Sequence, residues 1–455
     1  MTAVFAKRAL LPEGWRDAVR LEIDGLKIAS VVADATAKPG DTRVDSLLPA
    51  LANLHSHTFQ RAMAGMTERR GAGPDSFWTW RDLMYRFLDV LTPEDIEAIA
   101  ALAFMEMQEQ GFAAVAEFHY VHHQKNGARF SDVAELSQRI IAAAKSTGIG
   151  LTHLPVLYAR GGLDNAALAG GQLRFGNSVE QLLVLRDGAA STIKRELSAD
   201  SRIGVAPHSL RAVSKAQLAE TAKACADGPI HIHVAEQTRE VEDVLQATGK
   251  RPLRLLLDTC EVSANWCLIH ATHLDEGETR DMAQSRAVAG LCPITEANLG
   301  DGTFAAVNFL AAAGTFGIGT DSNICITAAG ELAQLEYSQR LLHKERNILA
   351  ESNGSTGQFL WRGAAKGGAQ ALQRNSGAIS PGKLADLVAI DSDTEMLAGL
   401  TAEQLLDGLV FASRAPHVTD LWSAGRHCVK GGRHIARDAI AKRYRITHAA
   451  LTARM

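Results

Sequence analysis

Eight short apolar runs punctuate the middle of the chain, each about the length of a buried strand. They occupy residues 47–57, 112–120, 149–158, 202–209, 229–236, 266–273, 287–295 and 316–322. Longer stretches of helical character separate them. One of these opens with Thr92-Pro93-Glu94-Asp95, a hydroxyl cap followed by proline at the first helical position and acids in the first turn. Gly111 marks its expected stop. Strands alternating with helices build a parallel sheet, and eight repeats predict closure into a (β/α)8 TIM barrel of the α/β class. An open doubly wound sheet would show a glycine-rich phosphate turn after an early strand. None is evident, and GIGTDS at 317–322 lacks the spacing.

Both ends read differently. VRLEIDG and IASVVADA near the start, and GKLADLVAIDSD and VTDLWSAGRHCVKGGRH near the end, are short strands and turns, with Gly382 and the Gly431-Gly432 pair punctuating hairpins. The expectation is one small β-sandwich lobe formed by both chain termini. Residues 1–46 and 379–455 would build it, the latter with a terminal helix, around a barrel of residues 47–378.

At 455 residues the chain can bury a large core without disulfides. Its net charge of -4 shows no basic excess, which argues against nucleic acid as a partner. The six cysteines are scattered and form no CxxC pair, as expected of reduced thiols in a cytoplasmic protein. No apolar run reaches spanning length and the start has no leader-like core, so neither a membrane nor secretion is expected.

Chemistry then concentrates at the carboxyl ends of the predicted strands, the catalytic face of such a barrel. His55 and His57 close the first, and their spacing puts both rings on one face. The fifth carries His231, His233 and Glu236, the sixth His270 and His273, the eighth Asp321. Imidazoles with a carboxylate suit one divalent ion, zinc above all, which can activate a water. Taken singly, each has a duller reading: a core histidine pair, a helix cap, a first-turn acid. Spacing alone leaves His231 and His233 as alternatives. His119, His122 and His123 read as loop histidines rather than a second metal site.

HSH, HVAE, HATH and GTDS at these strand ends, with the split terminal lobe, resemble the amidohydrolase superfamily. The HxxE form resembles its mononuclear deaminases, and no lysine near the third or fourth strand end offers the bridge of binuclear members. NLHSHTFQRAMAGM, DSFWTWRDLMYR, AEFHYVHH, HSLRAV, HIHVAEQ, CLIHATH and TEANLGDG, between residues 53 and 302, resemble the formimidoylglutamate deiminases of histidine degradation. The resemblance implies hydrolysis of N-formimino-L-glutamate to N-formyl-L-glutamate and ammonia. It implies one ion, expected to be Zn2+, on His55, His57, His233 and Asp321, and so selects His233 over His231. Asp321 would also take a proton from water, Glu236 would protonate the leaving nitrogen, and His270 would orient the water. Gln60, Arg81, Tyr120, His208 and Arg211 would bind the dicarboxylate, the arginines gripping carboxylates with their planar forks. A homodimer is implied too. WTWRDLMYR is a candidate cover for the site. One departure is Asn323, where a histidine is often expected after the aspartate and serine. The rivals are a nucleobase or triazine deaminase of this fold, with an aromatic pocket and no paired arginines, the ring-opening hydrolase imidazolonepropionase, and a non-catalytic barrel.

Overall fold

In a computed structural model that describes residues 2–70, 77–413 and 417–455, the chain enters through four strands: β1 (Thr2–Leu11), β2 (Gly14–Asp24), β3 (Lys27–Val32) and β4 (Thr42–Pro49). After one residue, Ala50, it starts again as β5 (Leu51–Ser56). The first predicted strand is therefore two strands in different sheets. Pairing explains the break: Leu47 and Leu48 align with Ala389 and Val388, whereas Leu51 to Ser56 align with the segment from Phe112 to Glu117.

The barrel comprises β5, β6 (Phe112–His119), β7 (Gly150–Leu157), β8 (Arg202–Ile203), β9 (Ala206–Pro207), β10 (Ile230–Val234), β11 (Trp266–His270), β12 (Val288–Leu291) and β13 (Thr315–Ile318). All pairings among them are parallel. Parallel bridges between Ser56 and Asp321, Val205 and Ile230, and Ser209 and His233 join the two arcs into a closed barrel. The fourth predicted strand is interrupted at Gly204–Val205. Gly204 packs so closely that a Cβ there would meet the Pro229 carbonyl at 2.4 Å, so only glycine fits. The helix expected from Thr92 runs from Pro93 to Glu109. Thr92 accepts the Asp95 backbone N–H at 3.2 Å and Asp95 accepts that of Thr92 at 2.9 Å, and Gly111 follows with φ +100°.

β14 (Leu387–Ile390), β15 (Val418–Ser423), β16 (Arg426–Lys430) and β17 (Arg433–His434) return the carboxyl end to the first sheet, in the order β17-β16-β15-β14-β4-β1-β2-β3. Alternation gives this sheet two apolar faces. Ala9, Leu11, Leu47, Leu387 and Ala389 belong to a cluster made by the terminal segments alone, so the sheet closes over its own core in the manner of a sandwich. Their neighbours Leu10, Leu48, Val388 and Ile390 join the barrel core. A buried ion network pins the seam. Arg374 donates to Asp200 and to both oxygens of Asp386 at 3.0 Å, and Arg426 reaches Asp200 at 2.8 Å. The Arg426 and Arg374 charges hold the Asp200 carboxyl below its usual range against the opposing effect of burial. Gly150 lets the Arg374 guanidinium pass, since a Cβ there would lie 2.5 Å from it.

Candidate active site

The carboxyl ends of β5, β10, β11 and β13 meet over one small volume. His55, His57 and His233 each bring a ring nitrogen to within 4.8 Å of the others, and ring nitrogens of His55 and His270 gather likewise with a carboxylate oxygen of Asp321. The His55 and His233 Nε2 atoms are 3.1 Å apart, and both His55 and His57 Nε2 lie 3.3 Å from Asp321 Oδ1. Backbone bonds set this convergence. The Asp321 N–H donates to the His55 carbonyl at 2.9 Å and the His57 N–H to the Asp321 carbonyl at 2.9 Å. Several of these residues, or their neighbours, adopt the uncommon left-handed region: Ala235 (φ 52°), His270 (φ 66°) and Asp321 (φ 43°). Such conformations concentrate at functional sites, where they re-aim the chain.

The cluster fits a divalent ion by its hydrogen bonding. His57 Nδ1 donates to the Phe118 carbonyl at 3.0 Å and His233 Nδ1 to the His208 carbonyl at 2.9 Å. A carbonyl only accepts, so both rings carry their proton on Nδ1 and turn an Nε2 lone pair inward. Burial pushes His55 down to about 3, and it lowers His57 and His233 too, leaving three neutral imidazoles. Asp321 is held well below the usual carboxylate range, burial opposing and His55 bonding outweighing it. Three lone pairs and a carboxylate oxygen aimed at one point form a zinc-type donor set. His231 is not part of it: its Nε2 meets the Ala371 carbonyl at 2.9 Å.

Beside the cluster, burial raises the Glu236 carboxyl above its ordinary value, with Glu240 adding to the rise and His270 opposing it. Burial pulls His270 down, but Glu236, Glu296 and Asp321 outweigh it and hold the ring up at about 10. Glu296, to which sequence reasoning gave no role, accepts from His270 Nδ1 at 3.2 Å and from the Cys292 N–H at 2.9 Å. Its only signal was its place in TEANLGDG, just past the seventh strand.

One pocket contains His57, His233, Glu236, His270 and Asp321 together with Gln60, Arg81, Tyr120, His208 and Arg211. Gln60 donates to the Tyr120 hydroxyl at 2.8 Å. Burial drives His208 well below its usual value, with the Arg211 charge adding to it, so the ring is neutral. Glu240 and Glu236 keep the Arg211 guanidinium charged against burial. Sequence reasoning missed the aromatic wall: Trp80, Tyr85, Tyr158 and Phe175 line the same pocket. Trp80, Arg81, Met84 and Tyr85 share one face of the helix Phe77–Leu88, so the expected cover forms one wall; its residue 78 has its side chain outside the described residues, as do residues 75–76 and the side chain of 77 in the longer DSFWTWRDLMYR segment.

Asn323 does not line this pocket. It is fully buried, donates to Ser56 Oγ and to the Asp321 carbonyl at 3.1 Å, and accepts from Thr320 at 2.6 Å. It braces the aspartate loop from behind. Arg61 does the same from another side, through Glu106 and the carbonyls of Asn323 and Ile324. His122 and His123 lie in the loop after β6 as expected, while His119 closes the strand itself, and all three are buried. His122 bonds the Val156 carbonyl at 2.9 Å and His123 that of Gly176 at 2.6 Å, and among the described residues they form no metal-type cluster. All six cysteines are free thiols, and no described helix is long and apolar enough to cross a membrane.

Comparison with known proteins agrees with the geometry. Residues 46–428 match the model of the amidohydrolase family, and residues 1–45 match the N-terminal domain of formimidoylglutamate deiminase HutF. The chain is 46% identical over 448 residues to formimidoylglutamate deiminase of Pseudomonas aeruginosa, covering 98% of each. It superposes on the crystal structure of an amidohydrolase from Brucella melitensis with a TM-score of 0.95 and 46% identity, covering 99% of this chain and 100% of that one. An adenosine deaminase from Xanthomonas campestris with bound zinc shares the fold, at TM-score 0.82 and 21% identity over 99% and 98% of the chains. The chain is a hydrolase that belongs to the amidohydrolase family and, within it, to the group of the formimidoylglutamate deiminases.

Proposed function

We infer that the chain hydrolyses N-formimino-L-glutamate to N-formyl-L-glutamate and ammonia, as a step of histidine degradation. The observation that carries this reading is one pocket holding two arginines, Arg81 and Arg211, together with the histidine–aspartate cluster and Glu236. A substrate with two carboxylates and a cationic formimino group needs both kinds of partner. The aromatic wall would also suit a ring substrate, so the arginines, rather than a scarcity of rings, favour the dicarboxylate.

His55, His57, His233 and Asp321 would hold one divalent ion, zinc for preference. Bound there, such an ion acts as a Lewis acid that makes water a nucleophile near neutral pH. The residues of the chain do the rest. Asp321 accepts the proton of the attacking water at a carboxylate oxygen. Oxygen adds to the formimino carbon, and His270, 3.9 Å from Asp321 Oδ2 through its Nε2, hydrogen-bonds that oxygen. Glu236 gives its proton to the terminal nitrogen; as the C–N bond breaks and ammonia leaves, the added hydroxyl becomes the formyl C=O and returns its proton to Glu236. Gln60, Tyr120 and His208 position the substrate between the arginines and the cluster.

The test is ammonia release by the metal-loaded protein from N-formimino-L-glutamate, with a nucleobase and imidazolonepropionate as competitors. Turnover of either competitor with formiminoglutamate untouched would refute the reading. The same reading carries a homodimer in the cytoplasm, without nucleic acid or membrane, which light scattering and cell fractionation test.

A further inference from the structure

A second group of donors lies against the opposite ring edge of His270. Its Nε2 faces Asp321, while its Nδ1 faces Glu296 at 3.2 Å. A ring nitrogen of His270, the Cys292 sulfur and a Glu296 carboxylate oxygen all lie within 4.8 Å of one another, and all three residues are buried. Glu331 stands close by. It is fully buried, Oε2 accepts the Ile294 N–H at 2.9 Å, and Oε1 has no hydrogen-bond partner. Its charge acts on Cys292, and those of Glu296 and Asp321 act on it. A buried thiol and the Glu296 carboxylate thus lie against one edge of the His270 ring, with the Glu331 carboxyl near the thiol.

We propose that His270, Cys292 and Glu296 form a second cation site, for a thiophilic divalent ion such as Zn2+, Cd2+ or Co2+, and that filling it inhibits the enzyme. Imidazole, thiolate and carboxylate are zinc-type ligands, whereas the sulfur disfavours Mg2+ and Ca2+. His270 lines the substrate pocket on one side, and Glu296 lines a separate cavity beside Pro293 and Phe304 from which an ion can approach. Ligands bind metal deprotonated. The ion therefore displaces the proton on His270 Nδ1 and that on Cys292 Sγ, and both leave to solvent. With Nδ1 on the ion, His270 loses the bond to Glu296 that orients its ring. The inhibitory effect rests on the reading that His270 serves the reaction; the site itself does not.

The holoenzyme, carrying one equivalent of metal, is titrated with further Co2+ and, separately, Mg2+. Expected with cobalt are a second bound equivalent, a near-ultraviolet thiolate-to-cobalt charge-transfer band, and an activity loss of about 100-fold, the low end of what a positioned acid–base group contributes. Mg2+ gives none of these. Cys292→Ser keeps normal activity at one equivalent, shows no band and stays active in excess metal; Cys292→Ala gives the same readings should the serine variant misfold. No band in the wild type, or equal inhibition of the variants, overturns the site. A band without inhibition overturns the inhibitory role and faults the reading of His270, leaving the site standing.

Discussion

A single oxygen of Glu117, on β6, accepts both the backbone N–H of Thr58 at 2.8 Å and its hydroxyl at 2.7 Å. Thr58 follows His57 directly, and the next residue on β6, Phe118, takes the His57 Nδ1 proton on its carbonyl. Two successive residues of one strand therefore hold the turn that presents the first two metal-type histidines.

Thr58→Val removes one of these bonds and keeps the shape. Burial pushes the Glu117 carboxyl up to about 7, so the bond contributes about 0.5–1.5 kcal/mol, as between neutral partners. A loss of that order is expected in chemical denaturation. Metal transfer to a chelator should quicken by about tenfold, as when outer partners of metal ligands are changed. Unchanged metal retention would show that the turn is held by other contacts.

Exhaustive chelation should abolish ammonia release, and zinc should restore it. Because the four proposed ligands come from distant parts of the chain, an ion held by them binds only the folded form and raises the melting temperature. The chelated protein should therefore melt earlier, and Asp321→Asn should lose both the activity and the metal-dependent rise. Full activity in metal-free protein would remove the basis of the mechanism.

Arg211→Lys keeps the charge but not the fork. The expected outcome is a KM for formiminoglutamate raised by about tenfold or more, from one lost charged hydrogen bond, with metal content unchanged. Loss of metal in step with KM would mean that Arg211 braces the metal cluster instead.

The barrel and its metal-type residues were legible because both rest on local regularities. Strand ends carry the chemistry, and i, i+2 spacing puts His55 and His57 on one face. What stayed hidden depends on contacts distant in sequence. The split at Ala50 is decided by which partners Leu48 and Leu51 find. The aromatic wall comes from three separate segments, so composition concealed it. Asn323 could not be placed without the buried hydroxyls of Ser56 and Thr320 around it. Glu296 has the look of any first-turn acid until His270 is seen beside it.

The Arg374 network makes stability depend on pH. Because the Asp200 carboxyl is depressed in the folded protein, its contribution is complete above about pH 4, the unfolded value, and is lost as pH falls through the folded one. Arg374→Gln leaves Asp200 and Asp386 buried without their shared cation, at an expected cost of about 3–5 kcal/mol at neutral pH. Urea denaturation should show that deficit shrinking as the medium is acidified, since the stranded acids can then take up protons. A deficit independent of pH would mean that the loss is one of packing.

The sheet order has a further consequence for synthesis. β4 pairs with β1, made at the start, and with β14, made some 340 residues later by the numbering. While the ribosome completes the barrel, β4 has β1 on one side and an open edge on the other, the kind of edge that pairs with strangers. The emerging chain therefore carries its greatest risk of aggregation late in translation, and ribosome-stalled chains ending before β14 should be those that chaperones hold longest.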